Sequence, residues 1–259
     1  MRLVVVGAGG MLGQEIDADA AFTRAQLDVT DREAVRAALG PDDLVINCAA
    51  WTDVDGAEEH EDEALRVNGD GARNVAEAAG TVLYVSSDYV FDGAKREPYL
   101  PSDPVNPLSA YGRTKLAGER ATAEANPRHF IARSSWLFGA GGKNFVETIL
   151  RLAAERDPLR VVDDQVGSPT FTGHLGPALV ALAQTGDYGV HHVTAAGSCS
   201  WFEFAREILA RAGVDTPIEP CTAEEFARPA PRPAYSVLGG GPALPSWQDG
   251  LGAYLGVRV

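Results

Sequence analysis

Short apolar runs alternate with longer stretches of mixed polarity through the first half of the chain. Residues 3–6, 44–49, 82–86 and 130–133 are apolar segments bounded by polar or glycine-rich turns. Parallel strands covered on both faces read this way, because neither side meets water. Residues 63–79 have the length and periodicity of a helix that Gly80 ends, and residues 111–125 those of another. Gln26-Leu27-Asp28 predicts the end of a further strand, and Thr30 with Glu33 predicts a capping box opening a helix. The alternation predicts an α/β protein built on a Rossmann-like doubly wound parallel sheet.

Beyond Trp136 the rhythm loosens. Residues 144–154 and 172–184 are expected to be helical, with a polar loop over 163–170. Ser200 and Glu203 predict a second capping box, opening a helix that runs to Ala212. Residues 227–233 are rich in Arg and Pro and must be extended. His191 and His192 fall in a predicted strand, so they point to opposite faces and cannot chelate together. No linker divides the chain. The expectation is a nucleotide-binding domain over residues 1–135 and a smaller C-terminal substrate-binding lobe over 136–259, interleaved at their boundary around a cleft.

Two patterns carry chemistry. Gly7-Ala8-Gly9-Gly10-Met11-Leu12-Gly13 follows the first strand directly and is expected to turn into a helix. Glycines there permit the tight turn and let backbone N–H groups approach a pyrophosphate at the helix N-terminus. Downstream, Ser86-Ser87-Asp88-Tyr89 ends a strand, and Tyr111 and Lys115 stand four positions apart on one helix face. A phenol ordinarily loses its proton near pH ~10, and an adjacent ammonium favours the phenolate. Lowering that value by ~3 units needs ~4 kcal/mol of differential stabilisation, giving a general acid that works near neutrality.

Composition narrows the field. The 259 residues, 45% hydrophobic and 22% charged, suit a globular α/β body. A net charge of -14 argues against nucleic acid as partner, whereas a locally positive pocket still admits a small anion. No apolar run is long enough for a signal peptide or a membrane span, so a cytoplasmic protein without a membrane partner is expected. Cys48, Cys199 and Cys221 are scattered and fit reduced thiols in that compartment.

The Gly-x-x-Gly-x-x-Gly spacing, taken with Tyr111-x-x-x-Lys115, resembles the short-chain dehydrogenase/reductase superfamily. Five longer runs resemble one branch of it, the dTDP-4-dehydrorhamnose reductases. These are Asn47 to Glu58, Ser86 to Gly93, Arg133-Ser134-Ser135-Trp136-Leu137-Phe138-Gly139, Asp164 to Thr170, and Arg232-Pro233-Ala234-Tyr235-Ser236-Val237-Leu238. The similarity extends from the first strand to Trp247-Gln248.

The resemblance implies reduction of dTDP-4-dehydro-L-rhamnose at C4 with NADPH or NADH; Arg24, with no obvious acid ending the second strand, leads to the expectation that NADPH is preferred and NADH accepted. It casts Tyr111 as proton donor, Lys115 as the ribose-holding cation and Ser87 as the hydroxyl bonding the carbonyl, where most relatives carry Thr. Gly7, Gly10, Met11, Leu12, Gly13, Arg24, Asp28, Ala49 and Ala50 would join Tyr111 and Lys115 around the cofactor. Arg24 would meet a 2′-phosphate and Asp28 the adenine. Ser87, Asp88, Tyr89 and Trp136 would line the sugar site, and Asn144 would hold the diphosphate unless it caps a helix. The stretch from Gly13 to Asp28 is short for a full helix and strand. Glu15 matches a position that joins a magnesium-bridged homodimer in some members; acids to complete it are not evident near residues 188–193, so no metal is expected. Alternatives left open are a 4-ketoreductase or epimerase acting on another dTDP-deoxysugar, and a non-catalytic subunit like the regulatory β subunit of methionine adenosyltransferase.

Overall fold

The computed structural model describes residues 1–156 and 158–256. Its central sheet has six strands: Arg2–Val6, Ala20–Phe22, Asp43–Asn47, Thr81–Ser87, His129–Ser134 and Gly189–His192. Counted in chain order, they lie side by side as 6-5-4-3-1-2, with every neighbouring pair parallel. The chain leaves the first strand for one side of it and continues the sheet on the other. Such a reversal opens a crevice at the carboxyl ends of the strands.

Strand alternation sends successive side chains to opposite layers. Val4, Val6, Val45 and Val82 pack under Val35, Val75 and Ala76 of the helices Arg32–Ala38 and Gly71–Ala78. Val5, Leu44, Ile46, Leu83 and Phe130 face Leu175 and Leu179 of the helix Thr172–Ala183. Each such buried side chain contributes roughly 1.5–3 kcal/mol by leaving water. A third core, around Phe138, Ile149, Phe204, Ile208 and Leu251, belongs to the C-terminal part. The helix Thr172–Ala183 and the strand Gly189–His192 also come from beyond residue 136, yet they complete the sheet body. His191 is partly exposed and His192 is 2% exposed, as opposite faces require.

Four local expectations are corrected. First, the glycine loop leads not into a helix but into a single 3-10 turn, Gly13–Glu15, and the second strand stops at Phe22. Arg24 to Gln26 form a turn and Asp28 lies beyond it; the few residues available are too short for a stable helix. Second, Asp31 caps the helix Arg32–Ala38, accepting from the N–H groups of Glu33 (3.1 Å) and Ala34 (3.0 Å). Thr30 is instead held by Asp28, whose Oδ1 accepts from its N–H and hydroxyl at 2.9 and 2.8 Å. Third, the expected helix over 63–79 is interrupted by a π turn, Arg66–Asp70. The wider turn carries buried Asn68, which accepts from Trp51 N–H (2.8 Å) and donates to Thr114 Oγ1 (2.9 Å). Fourth, the 163–170 segment contains two short strands, Val166–Gly167 and Thr170–Phe171. The Ser200–Glu203 box forms as expected, with reciprocal bonds of 3.1 and 2.9 Å opening the helix Trp201–Ala212.

Candidate active site

A cleft of about 860 Å³ opens at the carboxyl edge of the sheet. Gly7, Gly10, Met11, Leu12, Gly13, Arg24, Asp28, Ala49, Ala50, Ser87, Asp88, Tyr89, Tyr111, Lys115 and Trp136 all line it. Asn144 does not, and it is the one sequence-derived candidate outside the lining.

The glycine loop forms one end. Gly7 has φ +84°, and a Cβ there would stand 2.5 Å from the Ala49 nitrogen. A Cβ at Gly13 would meet the Gly7 carbonyl oxygen at 2.4 Å. Both positions therefore demand glycine. At Gly10 the nearest neighbour to such an atom is that same carbonyl, at 3.5 Å, so a side chain would project into open cleft space. Backbone stripped of side chains and facing a long cleft fits a dinucleotide pyrophosphate. Arg24 lies beside Asp28, lowering its carboxyl's affinity for protons after the two Thr30 bonds that dominate that effect.

The other end is built from the strand Thr81–Ser87 and the helix Ala110–Ala125, whose N-cap Ser109 accepts from Gly112 N–H at 3.1 Å. The Ser87 hydroxyl donates to Asp88 Oδ1 (3.0 Å) and accepts from Tyr89 N–H (3.1 Å), and it is near enough to the Tyr111 phenol to favour the phenolate. Lys115 Nζ donates to the Val85 carbonyl at 2.7 Å and sits 4.2 Å from the Tyr84 ring centroid. Burial lowers the Lys115 ammonium to about 7, opposed by the Glu119 carboxylate.

The expected depression of the Tyr111 phenol is not found. Burial pushes it up to about 12, Ser87 pulls it back, and Asp88 pushes it further. The ammonium meant to lower it is turned onto the Val85 carbonyl and the Tyr84 ring. Tyr111 is consequently a protonated, neutral donor across the physiological range. Asp88, 2% exposed, is raised to about 7 by burial despite bonds from Ser236 Oγ (2.6 Å) and Ser87. Tyr89 stands edge-on to Tyr111, ring centroids 5.9 Å apart; burial raises its phenol, and the nearby Arg232 guanidinium opposes that rise. Arg232 in turn donates to Asp55 Oδ1 at 3.0 Å.

Trp136 lines the cleft in a conformation unusual for its type, with φ +48°. Its indole is stacked on Trp201, centroids 3.4 Å apart and planes 4° off parallel. Glycine at 167 leaves it room, since a Cβ there would lie 2.4 Å from the ring. Trp201 and Lys143 also line the cleft, and neither stood out in the sequence. For Trp201 the available signal was its place just after the Ser200 cap, at a helix start near the strand Val166–Gly167. Asn144 is a helix N-cap: its Oδ1 accepts from Glu147 N–H (3.1 Å), and its amide donates to the Gly139 carbonyl (2.8 Å).

Among the described residues no group of three or more His, Cys, Asp or Glu could hold a metal, and no helix is long and apolar enough to cross a membrane. The three cysteines are unpaired.

The chain is 44% identical over 258 residues to a dTDP-4-dehydrorhamnose reductase of Streptomyces griseus, covering 92% of this chain and 85% of that one. It is 41% identical over 254 residues to a dTDP-4-keto-6-deoxy-D-glucose reductase of Streptomyces niveus, covering 92% and 88%. Its fold matches the crystal structure of a dTDP-4-dehydrorhamnose reductase from Bacillus anthracis in complex with NADP. That match has a TM-score of 0.93 and 38% identity, covering 100% of this chain and 99% of that one. A model of the RmlD substrate binding domain matches residues 1–255, and the chain belongs to that family.

Proposed function

We propose that this chain reduces the C4 ketone of dTDP-4-dehydro-L-rhamnose to the alcohol of dTDP-L-rhamnose, with NADPH as reductant. The observation that carries the reading is the meeting of Ser87, Tyr111 and Lys115 at one end of a cleft whose other end is the Gly7–Gly13 loop. Relatives that share about two-fifths of its residues bear that activity in their names, and one was crystallised with NADP.

The loop from Gly7 to Gly13 would hold the cofactor pyrophosphate, with Ala49, Ala50 and Asp28 along the adenosine half and Arg24 toward a 2′-phosphate. When bound, the nicotinamide supplies the hydride. Ser87 holds the ketone oxygen through its hydroxyl, and the burial of that hydroxyl strengthens the bond as charge develops. Tyr111, protonated at neutral pH, gives its proton to that oxygen and completes the alcohol. Lys115 would hold the nicotinamide ribose. Asp88 and Tyr89 would accept and pack against the sugar, with the Trp136 edge bounding its far side.

The test is oxidation of NADPH, followed by absorbance, on adding the 4-keto sugar to purified protein. No oxidation with that sugar, at saturating cofactor, overturns the reading. A second reading, reduction of another dTDP-4-keto-6-deoxysugar, draws on the similarity to the Streptomyces niveus enzyme. A higher kcat/KM for dTDP-4-keto-6-deoxy-D-glucose than for the rhamnose precursor would favour it.

A further inference from the structure

Three consecutive strand residues each meet one of three residues spaced by a turn on the same helix face. Val85 takes Lys115 through its carbonyl, Ser86 takes Glu119 through its hydroxyl, and the Ser87 hydroxyl is near enough to the Tyr111 phenol to oppose the rise that burial gives it. Two of these helix residues are used in the reaction proposed above. The third, Glu119, is 5% exposed and buries a carboxylate, a costly arrangement unless it is fully bonded. It is so bonded: Oε1 accepts from Ser86 Oγ (2.5 Å) and Arg133 Nε (2.9 Å), and Oε2 accepts from Arg133 Nη2 (2.7 Å). Arg133 is 4% exposed and pairs with Ser86 in the sheet register. The carboxylate thus joins the helix to two adjacent strands within one residue of Ser87.

From this geometry, and resting on the reading just given, we infer that Glu119 is a positioning residue. It locks the register of the Tyr111–Lys115 face against Ser87, with Arg133 as its anchor. An isolated four-residue spacing leaves a helix free to slide or roll on its strand. The Glu119 fork removes that freedom, because both carboxylate oxygens are committed to groups fixed in the sheet. A misplacement of about 1 Å in such a site costs on the order of 10²-fold in rate.

Glu119 also acts through charge. The groups about Lys115 are Cys48 from the loop after the third strand, the Tyr84 ring and Val85 carbonyl from the fourth, and Glu119 from its own helix. Arg133 reaches it through Glu119. Glu119 and Cys48 are the members of this set that favour the ammonium, and burial holds the Cys48 thiol protonated, up to about 12. The carboxylate therefore opposes the loss of charge that burial imposes on Lys115.

The chain has three lysines, Lys95, Lys115 and Lys143, so the Lys115 side chain can be followed by NMR with ε-13C-lysine. In Glu119→Gln, its titration midpoint is expected to move to lower pH by roughly one pH unit. The kcat should fall on the order of 10- to 10²-fold, its basic limb shifting to lower pH, while KM for the sugar stays within about twofold. Glu119→Asp, which keeps the charge but shortens the reach, should retain the lysine midpoint and lose kcat. Should Glu119→Gln fail to fold, the double variant Glu119→Met with Arg133→Met replaces the whole buried pair by apolar groups of similar length, a change such pairs usually tolerate. It should fold and show the same losses. A folded variant with wild-type lysine midpoint and wild-type kcat overturns the inference. Absence of turnover in the wild type overturns the reductase reading instead, and the lysine titration then decides on Glu119 by itself.

Discussion

The two ends of the cleft are built on opposite principles. At the catalytic end, side chains are buried and multiply bonded: Ser87, Asp88, Lys115 and Glu119 are each under a tenth exposed. At the cofactor end, backbone does the work, and the polar side chains Arg24, on a turn, and Asp28, just beyond it, are exposed. The first end places individual atoms for a proton transfer, which tolerates little error. The second receives a ligand whose pyrophosphate is common to all nicotinamide dinucleotides, so open glycine backbone suffices and specificity is left to peripheral charges. Substitutions at the buried end should therefore cost rate or pH response, and those at the open end should cost selectivity.

The largest effect is expected at Tyr111. Tyr111→Phe keeps the ring that packs against Tyr89 but removes the proton given to the ketone oxygen. The kcat should drop ~10²–10⁴-fold, with cofactor affinity by fluorescence titration almost unchanged. A variant that keeps most of the wild-type kcat would deny Tyr111 its role as acid.

Asp88 offers a stability test of the same burial. Its carboxyl is raised to about 7 in the folded protein and is ordinary, near ~3.9, in the unfolded chain. Between those values the folded state binds more protons, so this group's contribution to stability is present below pH ~4 and lost as pH rises through about 7. Asp88→Asn removes that dependence. Urea unfolding should show the variant gaining on the wild type between pH 4 and 7, by on the order of 1–4 kcal/mol. A difference that stays constant with pH would mean that Asp88 is solvated.

At the open end, Arg24→Ala should raise KM for NADPH on the order of ten- to a hundredfold and leave KM for NADH almost unmoved. One charge-assisted contact to a phosphate is worth roughly 1.5–3 kcal/mol. Equal losses with both cofactors would place Arg24 away from the 2′-phosphate and erase the contrast in selectivity between the two ends.

What the sequence discloses follows the same division. The strand and helix of the catalytic end have strong periodicity, and their side-chain spacing translates directly into shared faces, so Ser87, Tyr111 and Lys115 are legible as a set. Glu119 was visible at the same spacing but gave no sign of its partner, because Arg133 becomes its neighbour only through sheet register. The glycine loop was legible as a motif but not as a structure. Its glycines signal close backbone approach whether a helix or a 3-10 turn follows. Trp201 could not be foreseen beside Trp136, since the two are brought together by a fold between distant segments. Asn144 illustrates the converse: a residue type suited both to phosphate binding and to capping was claimed by the local backbone.

The smallest effect is expected at the helix behind the open end. The sequence suggested that Thr30 caps the helix after the cofactor loop, whereas the structure gives the cap to Asp31 and ties Thr30 to Asp28. An N-cap side chain satisfies backbone N–H groups that have no partner inside the helix, and its loss costs ~1 kcal/mol. Asp31→Ala should therefore lower the unfolding free energy by about that amount. Thr30→Ala should lower it by less, because an exposed turn retains water as an alternative partner. KM for NADPH should stay constant in Asp31→Ala, as Asp31 lies outside the cleft lining. Equal destabilisation by the two substitutions would return the cap to Thr30. A rise in KM with Asp31→Ala would show that the open end is held in shape by the helix behind it, and that selectivity there is not set by peripheral charge alone.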